Sequence, residues 1–415
     1  MPDSRLVAAG ADHSGGGVSR RAGRKLDELI LKATAAALRH VTRGRLRLTM
    51  PSGLSRTIGC GAAGGEAELT LANYRVFWKS IRRGSVGFAE SVLDGDCASG
   101  DLCALFRYFL ANKPALDLAG RGHFRVRLPL RLQHLRNANT RRGSRRNISA
   151  HYDLGNPFYR LWLDPGMTYS SGCFGEEAAD LEAAQQAKYD LVLRALDCRA
   201  GHSLLEIGCG WGGLLEAAAR RGLRATGITI SVEQLAYARA RTAGFDDPVV
   251  PQLRFEDYRD STGRFDRLAS IEMIEAVGEE NWPVFFDVVA DRLEPGGIAV
   301  LQAITVREDL FAAYRRKADF IQRYIFPGGM LPTRSAMAGE ARRAGLSFET
   351  VTTFADSYVR TLAAWRQRFH DAWPQIEALG FDDRFRRMWD YYLAYCQVGF
   401  EQGSIDVGLY RLRKP

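Results

Sequence analysis

No apolar run in this sequence is long enough to span a bilayer. The opening residues, Met1-Pro2-Asp3-Ser4 leading to Gly15-Gly16-Gly17, carry no apolar stretch of the signal-peptide kind. A cytoplasmic chain is expected, one that meets a membrane only at its inner surface. Cysteine is sparse and unpatterned: the seven, at positions 60, 97, 103, 173, 198, 209 and 396, lack metal-ligand spacing, and an odd number cannot all pair. That excludes a fully disulfide-paired scaffold and points to a reduced compartment. Internal repeats and sustained heptads are absent as well, which excludes solenoids and long coiled coils. Acidic residues are missing between Leu118 and Tyr152, where Arg121, Arg125, Arg127, Arg131, Arg136, Arg141, Arg142, Arg145 and Arg146 all fall. Such a field suits a polyanion, either nucleic acid or an anionic membrane surface, where each basic residue near lipid is worth about 1 kcal/mol. A linker kept soluble by its charge is the plain alternative.

What is present reads as an ordinary globular protein, with 46% apolar and 25% charged residues and a net charge of +9. A length of 415 residues favours two domains. Residues 1–24, rich in Gly, Ser and Ala, are expected to be a disordered tail. Residues 25–120 read as a small α+β domain. Leu26, Leu29, Ile30, Ala33 and Ala37 have helical spacing, Arg45 to Thr49 and Glu66 to Leu71 alternate polar with apolar, and Tyr74 to Ile81 and Asp101 to Leu110 look helical. Residues 121–146 form the basic linker, and 147–415 a second domain. There, apolar strands at Leu204 to Ile207, Ala225 to Ile230, Phe265 to Ile271 and Gly297 to Ile304 alternate with amphipathic helices. That alternation predicts an α/β fold with a parallel, doubly wound sheet.

In such a sheet a ligand lies at the carboxyl ends of the strands. The first of them runs into Glu206-Ile207-Gly208-Cys209-Gly210-Trp211-Gly212-Gly213, whose glycines let the backbone turn sharply and approach a ligand closely. Glu206 would repel a pyrophosphate and suits a cationic, hydroxyl-rich ligand, so S-adenosylmethionine fits better than a dinucleotide. After later strands come Thr229 and Ser231, which could bond ribose or cap the next helix. Asp257 and Tyr258 could meet adenine or belong to a surface loop. Glu275 could face the crevice or a helix N-terminus. The stretch Tyr324-Ile325-Phe326-Pro327-Gly328-Gly329-Met330-Leu331-Pro332 is apolar, aromatic and broken by Pro and Gly, as for an acyl pocket or a packed loop.

Taken together, His151-Tyr152-Asp153-Leu154-Gly155-Asn156-Pro157-Phe158-Tyr159, Met167-Thr168-Tyr169-Ser170-Ser171, Gln185-Gln186-Ala187-Lys188, the glycine segment, Thr226 to Ser231, Asp257 to Asp260 and Tyr324 to Pro332 resemble the cyclopropane fatty acid synthases. The likeness runs from about residue 147 to the C-terminus. It implies a Rossmann-like methyltransferase fold that uses S-adenosylmethionine to alkylate the double bond of an unsaturated acyl chain in a membrane phospholipid. By the family pattern Tyr169, Gly208, Gly210, Thr229, Gln234, Asp257 and Tyr258 would contact the cofactor, and Ser170, Glu206, Gly212 and Ser231 are counted with them. Tyr324, Phe326, Pro327 and Met330 would line the acyl site.

An alkene is a weak nucleophile, so the site must align the methyl with the π bond and exclude water from the resulting cation. In the family a bound bicarbonate then removes a proton from the added methyl, held by a Glu, a His, a Tyr and backbone near a Cys. Glu275 and Tyr358 match the Glu and the Tyr, whereas Gln302 stands at the His, Ser171 at the Cys, and Ala276 replaces a common His. Gln can donate a hydrogen bond to an anion but cannot shuttle a proton at neutral pH. These departures resemble a branch that makes methylene or methyl-branched chains. The partner expected is an anionic phospholipid surface and not nucleic acid, with a homodimer and a partner reductase or oxidase left open. A nucleic-acid methyltransferase and a non-catalytic lipid-binding homologue are the competing readings.

Overall fold

A computed structural model describes residues 15–59, 61, 65–120, 154–175, 180–316 and 318–415. The chain divides into two compact units, Met1–Arg125 and Val126–Pro415. The arginines at 121–146, the family-like residues 151–153 and the tail before residue 15 lie outside the described residues.

The first unit comprises α1 (Gly15–Ala37), β1 (Arg45–Thr49), β2 (Ser55–Ile58), β3 (Glu66–Leu71), α2 (Arg75–Arg83), α3 (Ser85–Leu93), β4 (Cys97–Ala98), α4 (Leu102–Ala111) and α5 (Lys113–Gly120). Its sheet has the order β2-β1-β3-β4. In β3 the residues alternate strictly, Glu66, Glu68 and Thr70 outward and Ala67, Leu69 and Leu71 buried, so one sheet face supplies core. Helix α1 begins at Gly15 and corrects the expectation of disorder up to residue 24. It is tied down by buried Asp27, which accepts from the Tyr74 hydroxyl (2.6 Å) and the Ser52 amide (3.1 Å).

The second unit contains α6 (Asn156–Arg160), α7 (Leu181–Ala195), β5 (Ser203–Ile207), α8 (Gly213–Ala219), β6 (Arg224–Thr229), α9 (Val232–Thr242), β7 (Gln252–Phe255), β8 (Phe265–Ile271), α10 (Trp282–Arg292) and β9 (Leu293–Val306). After these come α11 (Glu308–Tyr314), α12 (Phe320–Tyr324), α13 (Arg334–Arg343), β10 (Ser347–Thr353), α14 (Ala355–Asp371), α15 (Trp373–Ala378), α16 (Asp383–Glu401) and β11 (Ile405–Arg413). Seven strands form one sheet in the order β10-β11-β9-β8-β5-β6-β7. The five from β5 to β9 are parallel, as expected, but β11 runs antiparallel to β9 and β10 antiparallel to β11. The sheet is therefore mixed. Its last strand is held at β9 by burial of Val407, Leu409, Tyr410 and Leu412, which local sequence cannot assign to a neighbour.

Both faces of the parallel strands are covered, since successive strand residues point to opposite sides. Leu204 joins Val192, Leu196 and Leu215 in one cluster, whereas Leu205 joins Leu268, Phe285 and Val289 in the other. Strand order reverses at β5, with β6 and β7 on one side and β8 and β9 on the other. A crevice for a ligand is created where the loops after β5 and β8 diverge.

Candidate active site

The loop after β5 is the wall of that crevice. Gly208, Gly210 and Gly212 have φ of 80°, 52° and 81°, a left-handed backbone that L side chains resist. A Cβ on Gly208 would lie 2.9 Å from Met273 Cγ, while one on Gly210 would meet nothing within 4 Å, so the loop is tight on one side and open on the other. Glu206 is buried beneath it with Oε2 lacking a protein partner, and burial pushes its carboxyl up to about 8 despite Lys188 and Arg241. A buried unpaired carboxyl next to an open glycine turn fits a ligand that brings cationic or hydroxyl groups. Trp211 Nε1 donates to Asn156 Oδ1 at 2.7 Å and fastens the loop to α6.

The loop after β8 supplies the second feature. Glu272, half-buried and at φ 48°, points its carboxyl into a ring of donors. Oε1 accepts from the Ser171 amide (2.9 Å) and from Gln302 Nε2 (2.8 Å), and Oε2 accepts from the Tyr358 hydroxyl (2.7 Å). Burial pushes its carboxyl above the usual range, and the three hydrogen bonds and the Lys188 charge offset that rise only in part. Glu275 is the contrasting case: Oε1 accepts from the Ile304 amide (2.6 Å), Oε2 is buried without a protein partner, and burial together with the Glu272 charge pushes the group up to about 8. Burial thus pushes both glutamates up, Glu272 against three hydrogen bonds and the Lys188 charge, and Glu275 with the Glu272 charge adding to the rise.

Aromatic rings close the space beside them. Tyr169 lies 5.3 Å from Trp365 and 6.5 Å from Phe326, with its hydroxyl 2.8 Å from that of Tyr392. Phe326 lies 6.2 Å from Tyr392, and Tyr358 lies 6.1 Å from Trp365. Such a wall excludes water and presents π faces to a cation.

The family model described as mycolic acid cyclopropane synthetase matches residues 139–409. The chain belongs to this family. Among curated relatives, the tuberculostearic acid methyltransferase UfaA1 of Mycobacterium tuberculosis is 37% identical over 346 residues, covering 79% of this chain and 78% of that protein. The cyclopropane-fatty-acyl-phospholipid synthase of Escherichia coli K12 is 35% identical over 343 residues, covering 82% and 86%. The solved structure of the mycolic acid cyclopropane synthase CmaA1 complexed with SAH and CTAB matches with a TM-score of 0.61 at 30% identity, covering 65% of this chain and 98% of that one. A Rossmann-like methyltransferase fold and S-adenosylmethionine as methyl donor follow for this chain.

Against that frame the remaining candidate residues divide. Ser171 joins Gln302 and Tyr358 around Glu272, and Ser170 lies immediately beside them. Thr229 donates to Gln234 Oε1 (3.1 Å), and Ser231 caps α9 by accepting from the Gln234 amide (3.3 Å), which is the capping alternative. Asp257 is clasped by Arg259 through Nε (2.8 Å) and Nη2 (2.7 Å), so an adenine amino group would compete with a bidentate ion pair. Tyr258 packs edge-on against Phe285 at 5.6 Å, its hydroxyl buried without a protein partner. Phe326 faces the aromatic wall. Tyr324 rests on Phe320 at 5.6 Å, Pro327 is half-buried, and Met330 departs from the acyl-site expectation by joining the core cluster with Phe285 and Leu301. Glu272 is the member of the cluster with Ser171, Gln302 and Tyr358 that sequence reasoning did not name, although it directly follows β8, where strand-end logic looks for ligands.

Bicarbonate does not fit this site. The Ser171 amide, Gln302 Nε2 and the Tyr358 hydroxyl, which match the backbone, His and Tyr positions expected to hold it, are already bonded to the Glu272 carboxylate.

Proposed function

We propose that this chain methylates a double-bond carbon of an unsaturated acyl chain in a membrane phospholipid and that Glu272 accepts the proton lost afterwards. What carries the reading is the Glu272 carboxylate, held by three donors and facing an aromatic wall. S-adenosylmethionine supplies the methyl: its carbon–sulfur bond breaks, sulfur keeps the pair, and the alkene pair forms the new carbon–carbon bond. A cation is left on the neighbouring carbon. The aromatic rings stabilise it and keep water away. Glu272 then takes a proton from the added methyl, and the freed pair closes a cyclopropane ring. If a hydride shifts between the two chain carbons first, the same proton loss leaves a methylene branch, which a separate reductase would convert to a methyl branch. The first outcome accords with the name of the Escherichia coli relative and the second with that of UfaA1.

The test is incubation with labelled S-adenosylmethionine and monounsaturated phospholipid vesicles in carbon-dioxide-free buffer, reading the acyl product by mass and double-bond-sensitive degradation. Product formation indifferent to added bicarbonate is expected. Failure to label any unsaturated lipid would overturn the reaction, and an absolute need for bicarbonate would overturn Glu272 as base.

The enzyme's station in this reading is the inner face of the membrane, bound peripherally. Among the described residues no helix is long and apolar enough to cross a bilayer. On the first unit, α2 carries Arg75, Trp78, Ile81 and Arg82 with no acidic residue, and Trp78 is 69% exposed. A basic helix with an outward tryptophan suits the interface of anionic lipid.

A further inference from the structure

Gln185 and Lys188 stand one turn apart on α7, and both are completely buried. Their side chains converge on a single residue. Gln185 Nε2 donates to the Ser170 carbonyl (2.8 Å), and Lys188 Nζ donates to the Ser170 hydroxyl (2.8 Å). The next amide along the chain, that of Ser171, donates to Glu272 Oε1. Gripping Ser170 at both its carbonyl and its side chain therefore sets the direction of the Ser171 N–H. Lys188 Nζ also sits 4.4 Å from the centre of the Tyr189 ring. Burial pushes Lys188 down to about 8, and the neighbouring Glu272 and Asp164 carboxyls act against that fall. Glu272 in turn faces Lys188, Tyr358, Gln302 and the Ser171 amide, with the second carboxyl, Glu275, coupled to it.

We infer that Lys188, with Gln185, is a positioning residue for proton removal: it aims the Ser171 amide at Glu272 and supplies a positive charge that favours the Glu272 carboxylate. The inference rests on Glu272 being the base. A buried carboxylate without a nearby cation protonates rather than remain charged. Replacing Lys188 by a neutral side chain of similar length should therefore raise the proton affinity of Glu272 and move the acid limb of the pH–rate profile to higher pH. Removing only the Ser170 hydroxyl keeps the charge and loosens the geometry, which should lower the rate and leave the limb in place.

The experiment compares the full chain with K188M, S170A and E272Q, measuring kcat and KM with labelled S-adenosylmethionine and monounsaturated phospholipid vesicles across pH. For K188M, kcat at neutral pH should fall about 100-fold, KM for S-adenosylmethionine should stay within about threefold, and part of the rate should return at alkaline pH as the limb shifts by about one unit or more. S170A should lose about tenfold in kcat with no shift. A folded K188M with wild-type kcat and limb overturns the inference. So does a K188M whose loss is all in cofactor binding. If K188M does not fold, S170A decides, since an unchanged kcat there removes the positioning role. E272Q separates the two layers: near-wild-type E272Q overturns the base, whereas inactive E272Q beside fully active K188M overturns only the inference about Lys188.

Discussion

Glu272→Gln removes a base while leaving the surrounding bonds able to re-form. The amide oxygen can take the place of Oε1 and accept from the Ser171 amide and Gln302 Nε2, which both donate to that atom. The amide nitrogen then replaces Oε2 and donates to the Tyr358 oxygen, whose hydroxyl can rotate to receive it. Folding and cofactor binding should therefore change little, and S-adenosylmethionine affinity, read by calorimetry, should stay within about threefold. A positioned general base contributes about 10²–10⁴ in rate, or about 3–5 kcal/mol, and that is the expected loss in closed or methylene product. Methyl transfer precedes the missing step, so cation that forms without a base is left to water. A fraction of hydroxylated, methylated chain should appear in the mass spectrum in place of the native product. E272Q yielding the wild-type product within tenfold of the wild-type rate would refute the reasoning.

Three further outcomes follow from the same geometry. Burial pushes the Glu206 carboxyl up to about 8, so binding of a cationic cofactor should drive off a proton, seen as a buffer-dependent calorimetric enthalpy that E206Q abolishes; wild-type enthalpies independent of buffer would count against Glu206 as the cofactor's counter-charge. Glu275 titrates near 8 when folded against 4.5 when unfolded, so below about 4.5 it has no effect, and from there to about 8 the native state alone keeps the proton and stability falls as pH rises. E275Q should accordingly gain stability over wild type across that window, by at most about 1.4 kcal/mol per pH unit in urea melts, and a gain that is flat with pH would contradict the assignment. On the first unit, Trp78→Glu should weaken sedimentation with anionic vesicles about tenfold, and unchanged binding would remove α2 from the membrane contact.

Much of this protein was legible along the chain because its signals are local. Alternation in β3, the strand ends before Gly208 and Glu272, and the helical spacing from Asp101 to Leu110 each depend on residues a few positions apart. The partner of the last strand was not legible, because β10 and β11 are separated by α14, α15 and α16 and pair through long-range burial. Within the site, sequence placed Tyr358, Gln302 and Ser171 in one cluster by resemblance, yet centred it on Glu275. The positive φ of Glu272 turns its side chain into that cluster, and such a backbone is specified by the packed loop rather than by a spacing rule. Met330 illustrates the same limit from the other side, being apolar enough for a pocket but used as core.

The sequence by itself determined the fold class, the cofactor crevice and the reaction family, since strand period, glycine turns and motif order are properties of neighbouring residues. Tertiary structure alone decided which donors each carboxyl meets and how strongly burial acts on it. Glu272 and Glu275 are the same residue type three positions apart, and only desolvation, the bonds from Ser171, Gln302 and Tyr358, and the Lys188 charge drawn from distant elements make them chemically different.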